Sequence, residues 1–155
     1  MLSSLALADE NFESAKKLCN AKQYKKAIRL LKKVTEEEPS HVEAWVLLGD
    51  CYSRLGKNED AIAAYRKGLA INPEHADAIF GLGVNYTLLG NHSPAIEAYK
   101  EVIRIQPRHA EAHFYLGMSY DRIGRIGDAF EHYKILKTLD ERLADELYKI
   151  ILGSS

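Results

Sequence analysis

The sequence is poor in residues that carry chemistry. Its 155 residues hold two cysteines, two methionines, one tryptophan and four prolines. Cys19 and Cys51 are not spaced as C-x-x-C, and two cysteines do not make a disulfide framework. Buried free thiols in a reducing, cytoplasmic setting are expected. An excess of one charge is also missing. The 21 Lys and Arg against 22 Asp and Glu leave a net charge of −1. That balance excludes the large basic surface of a non-specific nucleic-acid binder. No apolar run nears the roughly 20 residues that span a bilayer, so no membrane insertion is expected. Residues 1–8 lack the basic and apolar segments of a signal peptide.

Catalytic signatures are absent too. Neither G-x-x-x-x-G-K-[ST] nor G-x-S-x-G occurs, and Gly81-Leu82-Gly83 reads as helix interior. The carboxylates scatter over solvated faces. No enzyme and no cofactor are expected. His41, His75 and His109 recur at a fixed period, as polar residues just ahead of a helix. Equivalent sites on packed helices lie roughly 8–10 Å apart. Zinc–nitrogen bonds are about 2.0–2.1 Å, so one ion cannot bridge them. His109 and His113 stand i, i+4, but His-Ala-Glu-Ala-His misplaces the glutamate of H-E-x-x-H and lacks a third ligand. No metal site is expected.

What the sequence does have is a period. Trp45-Val46-Leu47-Leu48-Gly49-Asp50-Cys51-Tyr52 recurs 34 residues on as Ile79 to Tyr86, and again as His113 to Tyr120. Pro39, Pro73 and Pro107 keep the same spacing and mark helix ends. The units are 8–41, 42–75, 76–109 and 110–143, within a single domain over 1–155. Each holds two short helices, broken at Gly56-Lys57-Asn58, Gly90-Asn91 and Gly124-Arg125. Ser93-Pro94 reads as an N-cap followed by proline at the first helical position. Asp9, Glu43, Asp77 and Glu111 are expected at the start of each first helix, where they suit the helix dipole. The mid-helix Gly49, Gly83 and Gly117 each cost roughly 1 kcal/mol against alanine. Close helix approach, with Ala61, Ala95 and Ala129 opposite, is the expected compensation. The first unit is degenerate, with Asn11, Ala15 and Leu18 in the Trp, Gly and Tyr positions. Asp140 reads as the N-cap of a last amphipathic helix, about 141–152, that closes the array.

This pattern resembles the tetratricopeptide repeat. The second unit matches throughout, in Trp45, Leu48, Gly49, Tyr52, Ala61, Tyr65 and Pro73. The third and fourth replace the tryptophan by Ile79 and His113, and the fourth lacks the proline. The resemblance implies an all-α fold, a right-handed α-solenoid of helix-turn-helix repeats with a C-terminal capping helix. It also implies that first helices line a concave groove.

On a helical wheel, positions roughly 150° from the Trp45–Tyr52 stripe form that groove. They are Phe12, Lys16, Val46, Asp50, Arg54, Phe80, Val84, Thr87, Phe114, Met118 and Arg122. Cys19, Ser53 and Leu88 lie beside them. An apolar strip with charged ends suits an amphipathic helix or an extended segment with apolar anchors. The competing reading is that the phenylalanines pack between adjacent first helices. The chaperone-binding branch of the family clamps a C-terminal carboxylate with Lys, Asn, Asn, Lys and Arg. Those residues would have to stand at Phe12, Lys16, Leu47, Asp77 and Gly81, and none does. No carboxylate-clamp chaperone binding is expected. The leading expectation is a non-catalytic adaptor that binds a protein or peptide segment. The alternative is a homo-oligomeric scaffold on a membrane, pilus or magnetosome-type vesicle, with Leu2, Leu5 and Leu7 docking into a neighbouring copy.

Overall fold

The computed structural model describes residues 4–153. Leu2, the side chain of Leu5 and the last two serines lie outside them. Among the described residues there are nine helices and no strand. They are α1 (Ser4–Asn20), α2 (Tyr24–Glu37), α3 (Val42–Arg54), α4 (Asn58–Ile71), α5 (Ala76–Leu88), α6 (His92–Ile105), α7 (Ala110–Arg122), α8 (Ile126–Leu139) and α9 (Glu141–Ile151). Helices α2, α4 and α6 each stop two residues before a proline, as the X-Pro restriction requires. The chain divides into two compact units, residues 1–85 and 86–155.

The turns show why glycine keeps its place. Gly56, Gly90 and Gly124 have φ of +70°, +74° and +76°, the left-handed region. The degenerate first hairpin puts Lys22 at the same point, with φ 58°. Helix starts follow a second rule. The Nδ1 atoms of His41, His75 and His109 accept from the backbone N–H of Ala44, Ala78 and Ala112 at 3.2–3.3 Å. The periodic histidines are therefore N-caps. Asp140 caps α9, accepting from Leu143 N at 3.0 Å. Two boundaries differ from expectation. Helix α6 begins at His92, so Ser93 and Pro94 fill its first turn, where proline's missing N–H still costs nothing. Helix α1 begins at Ser4, which leaves Asp9 inside the helix and away from its N-terminal dipole.

In the first unit the core is Ala15, Ala27, Leu31, Val34, Ala44, Leu48, Cys51, Tyr52, Ala61, Ala64, Tyr65 and Ala78, with Val46 joining them. The close approach expected at the glycines involves a side chain: the atoms nearest a Cβ on Gly49 all belong to the Tyr65 ring. A Cβ on Gly49 would lie 2.7 Å from that ring, and one on Gly81 would lie 2.5 Å from it. One aromatic ring thus fills two glycine slots, on α3 and α5. In the second unit a Cβ on Gly117 would meet Leu147 of the capping helix at 2.5 Å. The gain that offsets glycine's helix cost is room for a large side chain.

The second unit closes on Leu136, Leu143, Ala144 and Leu147, so α9 caps it with its apolar face. The tryptophan position is explained by a hydrogen bond. Trp45 Nε1 donates to the Pro39 carbonyl at 2.9 Å. His113 Nε2 does the same to the Pro107 carbonyl, also at 2.9 Å. An imidazole can stand in for an indole because both offer a ring N–H to a carbonyl that only accepts.

Candidate interaction surface

In the first unit the expected groove residues separate. Phe12 is half-buried, its ring 4.5 Å from that of His41 and 5.5 Å below the Lys16 ammonium. Lys16 also pairs with Glu13 at 2.9 Å. Asp50 accepts from the Tyr65 hydroxyl at 2.6 Å. Burial raises the Asp50 carboxyl above its ordinary range, against the lowering effect of that bond. Arg54 is exposed, and Phe80 and Val84 are half-buried. Val46 must be corrected. It is only 8% exposed, with its Cγ2 against Gly68 of α4. The reason is that α3 packs against α1, α2 and α4 together, so its covered arc exceeds the one stripe that a wheel assigns.

Nothing in the pattern marked Asn85. It stands at the tyrosine-minus-one position of α5 and is fully buried. Its Nδ2 donates to Ser53 Oγ at 3.1 Å and to the Gly81 carbonyl at 2.8 Å. Its Oδ1 has no partner. The two cysteines meet across α1 and α3, Sγ to Sγ at 2.8 Å, both as free thiols. Burial raises both, Cys51 the more strongly.

In the second unit the expected residues converge. Thr87, Met118 and Arg122 line one concavity with Leu88, Gly90, His92 and Ser119. Leu88 is 62% exposed at its mouth. His92 Nδ1 is buried without a hydrogen-bond partner. The Thr87 and Tyr99 hydroxyls lie 2.9 Å apart. Phe114 and Met118 are half-buried against the core that α9 closes. His109 and His113 do not share a face for metal. The first is spent on its cap; the second bonds Pro107 and, through Nδ1, His132 Nδ1 at 3.0 Å. No group of three or more His, Cys, Asp or Glu is placed to hold a metal ion among the described residues. No described helix is long and apolar enough to cross a membrane.

Repeated helix hairpins closed by a capping helix define an all-α repeat protein of the solenoid class. Three family models described as tetratricopeptide repeat match residues 20–67, 44–108 and 89–144, and the chain belongs to the tetratricopeptide repeat family. Solved structures agree. The chain is similar to one crystal structure of MamA at 28% identity and TM-score 0.84, covering 89% of this chain and 81% of that one. A second MamA structure gives 26% identity and TM-score 0.86, over 95% and 83%. YrrB, a tetratricopeptide protein described as having an unusual peptide-binding site, shares the fold at 18% identity and TM-score 0.82, over 93% and 75%. The family places the chain among protein-interaction and scaffold modules.

Proposed function

We propose that the chain is a non-catalytic, cytoplasmic adaptor that holds a peptide or helical segment against its first helices. The observation that carries this reading is the concavity between the end of α5 and α7. Leu88 and Met118 offer apolar contact, Arg122 a cation and Thr87 a hydroxyl. A short segment with one apolar anchor beside an acidic or amide group matches that set. Phe12, Lys16, Asp50, Arg54, Phe80, Val84 and Phe114 hold the corresponding positions on their own first helices. Rigid helices limit the ordering cost, and micromolar affinity, about −8 kcal/mol, is the expected scale.

The test is a peptide selected from a random library against the full chain. Amide shifts on binding should centre on Thr87, Leu88, Met118 and Arg122, and Met118→Glu with Leu88→Glu should weaken binding at least tenfold. Shifts confined to α6 and α8 would overturn the reading. Leu7, 43% exposed in the first turn of α1, supports a second reading, self-assembly through the N-terminus. A strict monomer by light scattering at all concentrations defeats it.

A further inference from the structure

The charge balance of −1 hides a strong local imbalance. From Lys16 to Lys33 there are eight basic residues and no acidic one: Lys16, Lys17, Lys22, Lys25, Lys26, Arg29, Lys32 and Lys33. All eight are exposed. With those cations set aside, the rest of the chain carries −9, against −1 for the whole.

Five of the eight lie on α2, and their spacing is helical. Lys25, Lys26, Arg29, Lys32 and Lys33 fall within an arc of roughly 120°, along about 12 Å of axis. The opposite face holds Ala27, Leu31 and Val34, all buried. Past its last cations α2 has only Glu36 and Glu37, at its C-terminal end. The α1–α2 turn adds Lys22, which with Lys25 and Lys26 rims a shallow dip lined by Tyr24 and Leu55.

A merely solvated helix face looks different, and this chain shows how. On α6, Lys100 pairs with Glu97 at 2.9 Å and Arg104 with Glu101 at 2.8 Å. On α8, Lys134 pairs with Glu131 at 2.8 Å. Those outer faces mix the two signs three residues apart, which stabilises the helix. On the α2 arc no ion pair forms, although Glu36 and Glu37 follow Lys33 by three and four residues. Among the described residues, of the eight cations only Lys16 has an ion pair, with Glu13. Like charges four apart on α2 destabilise it, so something other than helix stability accounts for them.

We propose that the outer face of α2, with the α1–α2 turn, is a docking surface for an anionic phospholipid bilayer. Seven of the eight cations are lysines. A lysine is a hydrated point charge that needs no matched geometry, which suits a diffuse layer of phosphates. A defined carboxylate partner favours the arginine fork instead. A nucleic acid longer than the 12 Å stripe would run on past Glu36 and Glu37 at the end of α2, at a cost within a Debye length of about 10 Å. No apolar side chain projects from the arc, so the contact is peripheral, electrostatic and reversible by salt.

The test uses the full chain and sedimented vesicles. Vesicles of phosphatidylcholine with about a third phosphatidylglycerol should bind at least tenfold more protein than phosphatidylcholine alone at low salt, and the difference should fade as salt rises. Each cation near an anionic surface is worth roughly a fivefold change in partition, so Lys25→Gln, Arg29→Gln and Lys32→Gln together should lower it about a hundredfold. Glutamine is a good helix former, and unchanged circular dichroism checks the fold. Removing three cations from the mixed faces, with Lys100→Gln, Arg104→Gln and Lys134→Gln, matches the loss of charge and should change partition less than about threefold. Equal binding to neutral and anionic vesicles, or equal effects of the two triple variants, overturns the proposal. So does tighter binding to duplex RNA or to polyglutamate than to the vesicles, which would assign the face to a nucleic acid or to an acidic protein.

Discussion

Acidification should destabilise the chain through one histidine. His132 lies half-buried on α8, its ring stacked 5.8 Å from Tyr120 and its Nδ1 3.0 Å from His113 Nδ1. The Pro107 carbonyl accepts from His113 Nε2, which fixes that proton on His113 and frees its Nδ1 to accept from His132. In that arrangement His132 donates from Nδ1. Burial, then the neighbouring His113, lowers His132 from 6.5 to about 4, while Asp128 and Glu131 pull the other way. A base whose folded value is depressed binds fewer protons folded than unfolded between those limits. Its contribution is fully present above pH 6.5 and is lost as pH falls toward 4. The whole shift is worth about 3 kcal/mol, and about 2 kcal/mol of it is gone at pH 5. For a chain of this size that is a fall in Tm of roughly 4–8 °C between pH 7.5 and 5. Denaturant melts at each pH measure it, and proton NMR of the imidazoles assigns it. His132→Gln keeps an N–H donor for His113 but does not titrate, so its pH slope should be flatter by about the same 2 kcal/mol. An unchanged slope in that variant, or a His132 imidazole titrating near 6.5, would refute the reasoning.

Three further outcomes follow from the packing. Gly49→Ala should cost about 1–2 kcal/mol despite alanine's better helix propensity, because the new methyl meets a Tyr65 ring pinned by Asp50; chemical denaturation reads it, and a more stable variant would disprove the contact. Lys22→Gly should stabilise the chain by about 0.5–1 kcal/mol, by relieving a lysine held at φ 58°, and a melt at two denaturant concentrations suffices to check it. In native protein Cys51 should react with iodoacetamide at least about a hundredfold more slowly than in urea, and Cys19 faster than Cys51, since burial keeps both thiols protonated and only Cys19 reaches the surface.

The repeat architecture was legible because its signals are local. A 34-residue period, prolines at helix ends and glycines at φ near +70° are each decided within a few residues. The capping helix could be read from Asp140 and the spacing of Leu143 and Leu147 for the same reason. The surface was harder. A wheel gives a helix one covered face, but α3 is covered from three sides, so Val46 went from groove to core. Asn85 was invisible because its hydrogen-bond partner Ser53 lies 32 residues away. Thr87, Met118 and Arg122 line one concavity because their helices keep the expected phase, while His92, which lines it with them, begins a second helix. The His113–His132 pair gave no signal, since nothing in the period links those two positions.

The Tyr65 ring has one more consequence. It belongs to the unit that ends at residue 75, yet part of its pocket is Gly81, in the next. The sequence period therefore cuts through a packed side chain. A truncation at residue 75 that looks clean on an alignment of repeats would leave that ring facing water on one side. The natural quantum of stability here is one hairpin plus the first helix that follows it. Any shortened or shuffled version of this chain should be cut after a first helix, where the last large side chain already has its cover.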